Sequence, residues 1–190
     1  MGTGSFSSTL KTAMGKLQTP KPVKMIMSVL ASDDVVVHRV KEILEERYGQ
    51  IDFTSEILPF TSTDYYTPEM GGGLFRRFVT FRTLVPRESL VAVKRETNAI
   101  EEYFAVGGRR RVNIDPGYIS AEHLILATTK GYTHRPYLGD GVYADLTLIY
   151  CKGEFQPLGW TYPDYASKEI RRVLGDLRKA YMREARTVEW

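Results

Sequence analysis

Short apolar runs alternate with amphipathic stretches along the first part of the chain. Met25 to Ala31 is an apolar run that is followed by Ser32, Asp33 and Asp34, which predicts a buried strand and then a helix N-cap. Apolar residues next recur at helical spacing over 36–44, and Tyr48-Gly49 ends the pattern. The N-terminal pattern therefore predicts a strand followed by a helix.

The next segments predict the same kinds of element in a different order. Strands are expected over 53–60 and 77–84, the second with clean alternation, and a fourth strand over 111–114. Between them a helix is expected from Pro86 to Gly107. The order strand, helix, strand, strand, helix, strand predicts the split βαβ arrangement of a ferredoxin-like fold.

One face of this second helix should contact the sheet and the other should face water. The predicted inward residues are Leu90, Val93, Ile100 and Phe104, and the predicted outward residues are Lys94, Arg95, Glu101 and Glu102.

Further elements follow the split βαβ unit. Strands are expected over 124–129 and 142–150, a short edge strand over 154–158, and a last helix from Ser167. We therefore expect an α+β, ferredoxin-like sandwich with additional C-terminal strands and a terminal helix. The expected boundaries are a flexible leader over 1–22, a single domain over 23–186 and a tail over 187–190.

Composition narrows the class of protein. Apolar residues make up 43% and charged residues 26%, which is typical of a globular chain, and the net charge of +3 is too small for a dedicated nucleic-acid binder. The single cysteine, Cys151, excludes an intramolecular disulfide and favours a reducing compartment. The apolar runs in the sequence are too short to span a membrane, so we expect a cytoplasmic location without membrane contact.

Several motifs in order resemble the bacterial and archaeal family known as domain of unknown function 4416. The motifs are Thr63-Asp64-Tyr65-Tyr66, Glu69-Met70-Gly71, Thr97-Asn98, Arg111 to Tyr118, Leu126 to Lys130, His134-Arg135, Gly141 to Ala144 and Trp160 to Tyr165. The resemblance runs from about Lys16 to about Tyr181. Some relatives are described as GTP-binding, but this chain lacks the Gly-x-x-x-x-Gly-Lys-Ser/Thr loop of a P-loop site. The resemblance thus implies a family and no mechanism.

The first candidate site is the long loop over 61–73 with the two arginines that follow it. Asp64 could act as an acid or base and Glu69 as a ligand-binding carboxylate, while Arg76 and Arg77 could hold an anionic group. Loops of this length without secondary structure are commonly functional, although a connector that packs its own tyrosines is the alternative.

The second candidate site is Asn113 with Asp115, which the pattern places at a strand end where Pro116-Gly117 turns the chain away. Asp115 could transfer a proton and Asn113 could bind a ligand. Asn and Asp are equally common in plain turns, because their side chains bond the local backbone.

The third candidate site is the loop between the two late strands. Lys130 and Arg135 could bind phosphate or carboxylate, and His134 could transfer a proton near neutral pH. Tyr143, on the strand that follows, is assigned to the same ligand site. An exposed hairpin loop with ordinary polar content is the alternative.

The three histidines show no metal-ligand spacing, so no metal is expected, and the sequence identifies no cofactor. We expect Asp64, Arg77, Asp115, Lys130 and His134 to converge on one cleft. The resulting function is binding, with or without turnover, of a small anionic ligand such as a nucleotide or phosphorylated metabolite. The alternative is a non-catalytic protein- or RNA-interaction module, and whether the protein is an enzyme stays open.

Overall fold

A computed structural model of the chain describes residues 17–187, which form nine strands and five α-helices. The strands are β1 (Lys24–Ala31), β2 (Ile51–Thr54), β3 (Leu58–Pro59), β4 (Phe75–Phe81), β5 (Val112–Ile119), β6 (His123–Thr128), β7 (Tyr137–Gly139), β8 (Val142–Cys151) and β9 (Glu154–Pro157). The helices are α1 (Asp34–Tyr48), α2 (Thr67–Met70), α3 (Leu90–Phe104), α4 (Pro163–Ala166) and α5 (Lys168–Glu184). Most of the predicted leader and tail lie outside the described residues.

All described strands belong to one antiparallel sheet. Its order is β2-β4-β1-β5-β6-β8-β7, while β3 pairs with β4 and β9 pairs with β8. The fold is therefore a mixed α+β architecture. The short edge strand and the terminal helix that the sequence predicts are both present.

Helices cover both faces of the sheet. On one face, α1 and α3 share a hydrophobic core with β1, β4 and β5 around Val40, Phe81 and Ile114. On the other face, α5 packs against the sheet through Ile170 and Leu174. Helix α1 begins as predicted, because the Asp33 side chain accepts a hydrogen bond of 2.9 Å from the Val35 N–H.

The path of β5 differs from the prediction in a way that affects the site. The strand does not end at Pro116-Gly117 but continues to Ile119, and Pro116 lies opposite Met27 of β1. A proline removes one ladder donor, and it is tolerated here because β6 pairs with β5 only from Gly117 onward. Gly117 is required at this crossing, since a Cβ atom there would lie 2.3 Å from the carbonyl oxygen of Ile125.

Two further side-chain placements correct the sequence prediction. Lys94 and Glu101, predicted to face water on α3, are each only 6% exposed, whereas Leu90, Val93 and Ile100 face the sheet as predicted. The position of Cys151 at the end of an apolar strand predicts a buried side chain, but it is exposed because it ends β8 at the turn into β9. The charged pair on α3 is buried because it bonds the backbone of β5, as described below.

The C-terminal helix is tied to the sheet by a buried ammonium group. The Nζ atom of Lys24 on β1 pairs with Asp52 of β2 and, at 2.9 Å, with Glu184 at the end of α5. Among the described residues, no helix is long and apolar enough to cross a membrane.

Candidate functional site

A cleft opens in the sheet where β5 and β6 separate. The two strands pair only over Gly117–Ile119 and Leu124–Leu126, so the beginning of β5 and the end of β6 diverge. The cleft has a volume of about 830 Å³ and is lined by both strands, by α3 on one face of the sheet and by α4 on the other. The loop over 61–66 and the segment over 128–130 complete its mouth.

Side chains of α3 take the place of a neighbouring strand along the open edge of β5. The Lys94 Nζ donates a hydrogen bond of 3.1 Å to the Ile114 carbonyl, and the Ile114 N–H donates one of 2.7 Å to Glu101. The backbone of a strand without a partner must find other hydrogen bonds when it is buried. Burial raises the pKa of Glu101. The two charges thus have a structural role and also line the cleft.

Arg110 connects the side of the cleft formed by α3 and β5 to the loop over 61–73. Its Nε and Nη2 atoms donate to the two carboxylate oxygens of Glu69 at 2.8 and 2.6 Å, and Nη1 reaches Asn113 at 2.7 Å. Asn113 in turn donates to Asp115 at 2.7 Å. The hydrogen bond from Arg110 holds the pKa of Glu69 below its usual range. This chain of bonds fixes the position of Asp115 inside the cleft.

The opposite wall is built around the buried guanidinium of Arg76. Its Nη1 pairs with Asp164 of α4, and its carbon Cζ lies 4.9 Å from the ring centre of Tyr165 and 5.0 Å from that of Phe60. Burial raises the pKa values of Tyr165 and of the neighbouring Tyr66, so both phenols keep their protons at neutral pH. Both can therefore donate hydrogen bonds.

The mouth of the cleft carries Lys130 and Arg135. Arg135 donates to Asp145 at 2.8 Å, to the Tyr162 hydroxyl at 2.9 Å and to the Lys130 carbonyl at 3.1 Å, so it holds the loop in place. The Lys130 ammonium bonds the Tyr65 hydroxyl and lies 4.5 Å from the centre of that ring. The other cationic residues of the cleft lining each pair with a carboxylate, whereas Lys130 has no carboxylate partner within residues 17–187.

The structure brings part of the predicted site together. Arg76, Asn113, Asp115, Lys130 and Arg135, which come from all three predicted groups, line the one cleft. Their convergence follows from the antiparallel order of the strands, which places the start of β4, the start of β5 and the end of β6 at one end of the sheet.

The other predicted residues lie outside the lining. Glu69 stands behind Arg110, and His134 is stacked on Trp160 with its Nε2 atom 3.5 Å from Asp145. Asp64 is exposed, and its carbonyl accepts the Thr67 N–H at the start of α2. Arg77 points to the other side of β4, towards Asp34. Tyr143 packs on Tyr137, with the ring centres 5.1 Å apart.

Several residues of the lining were not predicted from the sequence. They are Lys94, Asn98, Glu101, Arg110, Asp145 and Asp164. The spacing of Lys94, Asn98 and Glu101 was a usable signal, because i, i+4 and i+7 place three polar groups on one helix face beside the apolar stripe. No His, Cys, Asp or Glu residues in the described part of the chain form a group of three that could hold a metal ion.

Residues 21–181 match the family model described as Domain of unknown function (DUF4416), and the chain belongs to that family. No curated protein and no solved structure matched the chain.

Proposed function

We propose that the cleft binds a small ligand with an anionic group, such as a nucleotide or a phosphorylated metabolite. The observation that carries this proposal is Lys130, whose ammonium stands at the mouth without a carboxylate partner among the described residues. The arginines of the lining are neutralised by Asp164, Glu69 and Asp145, so they hold the shape of the cleft. An anionic ligand could pair with Lys130 without breaking any of these bonds.

The rest of the lining supports a ligand that also carries hydrogen-bond donors. Asp115 keeps part of its carboxylate accessible, and Glu102 is an exposed carboxylate on the α3 side of the cleft. The volume of about 830 Å³ lies in the range of pockets that bury a nucleotide-sized molecule. A ligand with an anionic end and a donor-bearing end matches this arrangement better than a simple anion.

Turnover of the ligand would depend on Asp115. Of the three residues to which the sequence assigned acid–base roles, Asp115 lines the cleft, whereas Asp64 and His134 do not. Its Oδ1 atom lies 3.5 Å from the Lys94 ammonium and its Oδ2 accepts from Asn113. This carboxylate is held in place and could accept a proton from a bound ligand.

Native mass spectrometry of freshly purified protein tests the proposal, since a retained small molecule appears as a defined excess mass. Thermal-shift titrations with nucleoside triphosphates, ribose 5-phosphate and inorganic phosphate then identify the class. Lys130→Gln should weaken the active compound about 10- to 100-fold, because a hydrogen bond to a charged group contributes about 1.5–3 kcal/mol. The matched control is Lys168→Gln, an exposed lysine of α5 outside the lining. Equal binding by both variants contradicts the proposal.

An alternative function as a protein-interaction module is favoured by the edge of the sheet. Strand β7 ends the strand order, and its Tyr137 and Leu138 are 61% and 44% exposed. An exposed edge strand can pair with another chain. In that case Leu138→Glu would abolish partner capture in pull-downs and leave small-molecule binding unchanged.

We also infer that β1, α1, β2, β4, α3 and β5 form a ferredoxin-like split βαβ unit. The support for this assignment is the order β2-β4-β1-β5 together with the shared core of α1 and α3 on one face. A cytoplasmic location likewise remains a proposal, based on the single free cysteine.

A further inference from the structure

Charge is divided unequally between the two sides of the cleft. On the side formed by α3 and β5, two cations stand among four carboxylates, counting the one behind Arg110. The cations are Lys94 and Arg110, and the carboxylates are Glu69, Glu101, Glu102 and Asp115. On the opposite side, every cation of the lining except Lys130 has its own carboxylate partner. The cleft is therefore negative along α3 and β5 and positive at Lys130.

The negative excess does not depend on the most deeply buried carboxyl. Burial raises the pKa of Glu101, so this group holds a proton more readily than an exposed glutamate. Without its charge, three carboxylates still oppose two cations on this side. The neighbouring Tyr66 responds to the same field, because burial and then the charge of Asp115 raise the pKa of its phenol. A cationic group of a ligand would be attracted to this side.

Glu102 is the accessible carboxylate of this side. It lines the cleft, is exposed, and forms no ion pair among residues 17–187. Asn98 lies four residues earlier on α3 and also lines the cleft. Side chains at i and i+4 of a helix stand about 5–6 Å apart, so one small group can contact both. An ammonium group has three N–H donors, for which the Glu102 carboxylate and the Asn98 carbonyl supply acceptors.

We propose that the ligand carries a positively charged amino group, bound by Glu102 and Asn98, in addition to the anionic group at Lys130. This inference rests on the proposed function, since it adds a second binding point in the same cleft. It narrows the ligand class to phosphorylated amines such as amino sugar phosphates. The amino groups of nucleobases carry no charge at neutral pH and do not meet this requirement.

The test uses the full chain and pairs of phosphate compounds that differ in one group. Glucosamine 6-phosphate has an ammonium where glucose 6-phosphate has a hydroxyl, and phosphoethanolamine differs in the same way from 2-hydroxyethyl phosphate. We expect isothermal titration calorimetry to show that the amine of at least one pair binds about three- to tenfold more tightly than its hydroxyl counterpart. The factor is modest because Glu102 is exposed to water.

Two substitutions separate the contributions of the two binding points. Glu102→Gln should abolish the preference for the amine while leaving the affinity for the hydroxyl compound and the Tm unchanged, because the side chain is exposed and unpaired within the described residues. Lys130→Gln should weaken both members of the pair equally, since both carry phosphate. The matched control is Glu46→Gln, an exposed glutamate of α1 outside the lining, which should keep the preference.

The outcomes distinguish this inference from the proposed function. If phosphate compounds or nucleotides bind in a Lys130-dependent manner without any preference for an amine, the amino-group site is overturned and the anion site stands. If Glu102→Gln keeps the preference, the site is likewise overturned. The same holds if Mg²⁺ strengthens binding of the hydroxyl compounds through Glu102 and amines bind no better, because the carboxylate then serves a metal ion. If no phosphate compound, nucleotide or inorganic phosphate binds, both proposals are wrong.

Discussion

Replacing Lys94 by methionine tests whether α3 supports the open edge of β5. Methionine keeps most of the volume and apolar stem of lysine, so the change removes the ammonium and little packing. The Ile114 carbonyl then loses its donor, and Glu101 and Asp115 lose a neighbouring cation in a buried place. The perturbation is therefore confined to the electrostatics of one strand edge.

The expected loss is about 3 kcal/mol of unfolding free energy, because removing one partner of a buried charged group costs about 3–5 kcal/mol and Asp115 is partly solvated. For a domain of this size the loss corresponds to a fall in Tm of roughly 6–12 °C. Arg95→Met is the matched control, since Arg95 is the next residue on α3 and pairs with Asp140 at the surface. That exposed pair contributes less than about 1 kcal/mol.

Urea denaturation followed by circular dichroism measures both variants under the same conditions. The slope of the free energy against urea should stay unchanged, because the variants expose similar surface on unfolding. If Lys94→Met is as stable as Arg95→Met, the side chains of α3 do not support β5 and the interpretation of the edge is wrong.

Three other changes test the fold around the cleft. Burial raises the pKa of Glu101 above 4.5, so the folded protein binds this proton more tightly than the unfolded chain. The stability of the parent relative to Glu101→Gln should therefore fall as the pH rises above 4.5, which urea titrations at several pH values measure; a rise would contradict the assignment. Val93→Asp buries an unpaired charge in the core and should abolish the cooperative thermal transition, whereas a stable variant would mean that α3 faces the other way. Gly117→Ala forces a Cβ atom to within 2.3 Å of the Ile125 carbonyl, so hydrogen exchange should show faster opening of the β5–β6 pairing, and unchanged protection would refute the close approach.

Local signals in the sequence were sufficient for most of the fold. Asp33 and the apolar spacing that follows it define α1, and the alternation before Leu84 defines β4, because both signals act within a few residues. Pro116 was misinterpreted as a turn because its tolerance depends on a distant strand. A proline fits inside β5 only where β6 has not yet begun to pair, and no local pattern encodes that register.

The site was predictable only where its residues fall at strand ends or in long loops. Asp115, Lys130 and Arg135 satisfy that criterion, whereas Lys94 and Glu101 lie in the middle of a helix, where charged residues normally face water. Their burial depends on the gap between β5 and β6, which the sequence alone does not indicate. Arg110 and Asp164 could not be predicted from local sequence either, because each forms its ion pair in the site with a residue far along the chain.

The division of the lining into paired and unpaired groups decides how a ligand can bind. A ligand that displaced Asp164 from Arg76, or Glu69 from Arg110, would have to replace an established charge-assisted bond and would gain little in return. Lys130 can be engaged without such a loss, because it pairs with no carboxylate among the described residues. Substitutions in the paired set should therefore change stability and binding together. Substitutions of Lys130 should change binding alone, and this separation distinguishes a ligand site from a network that only stabilises the fold.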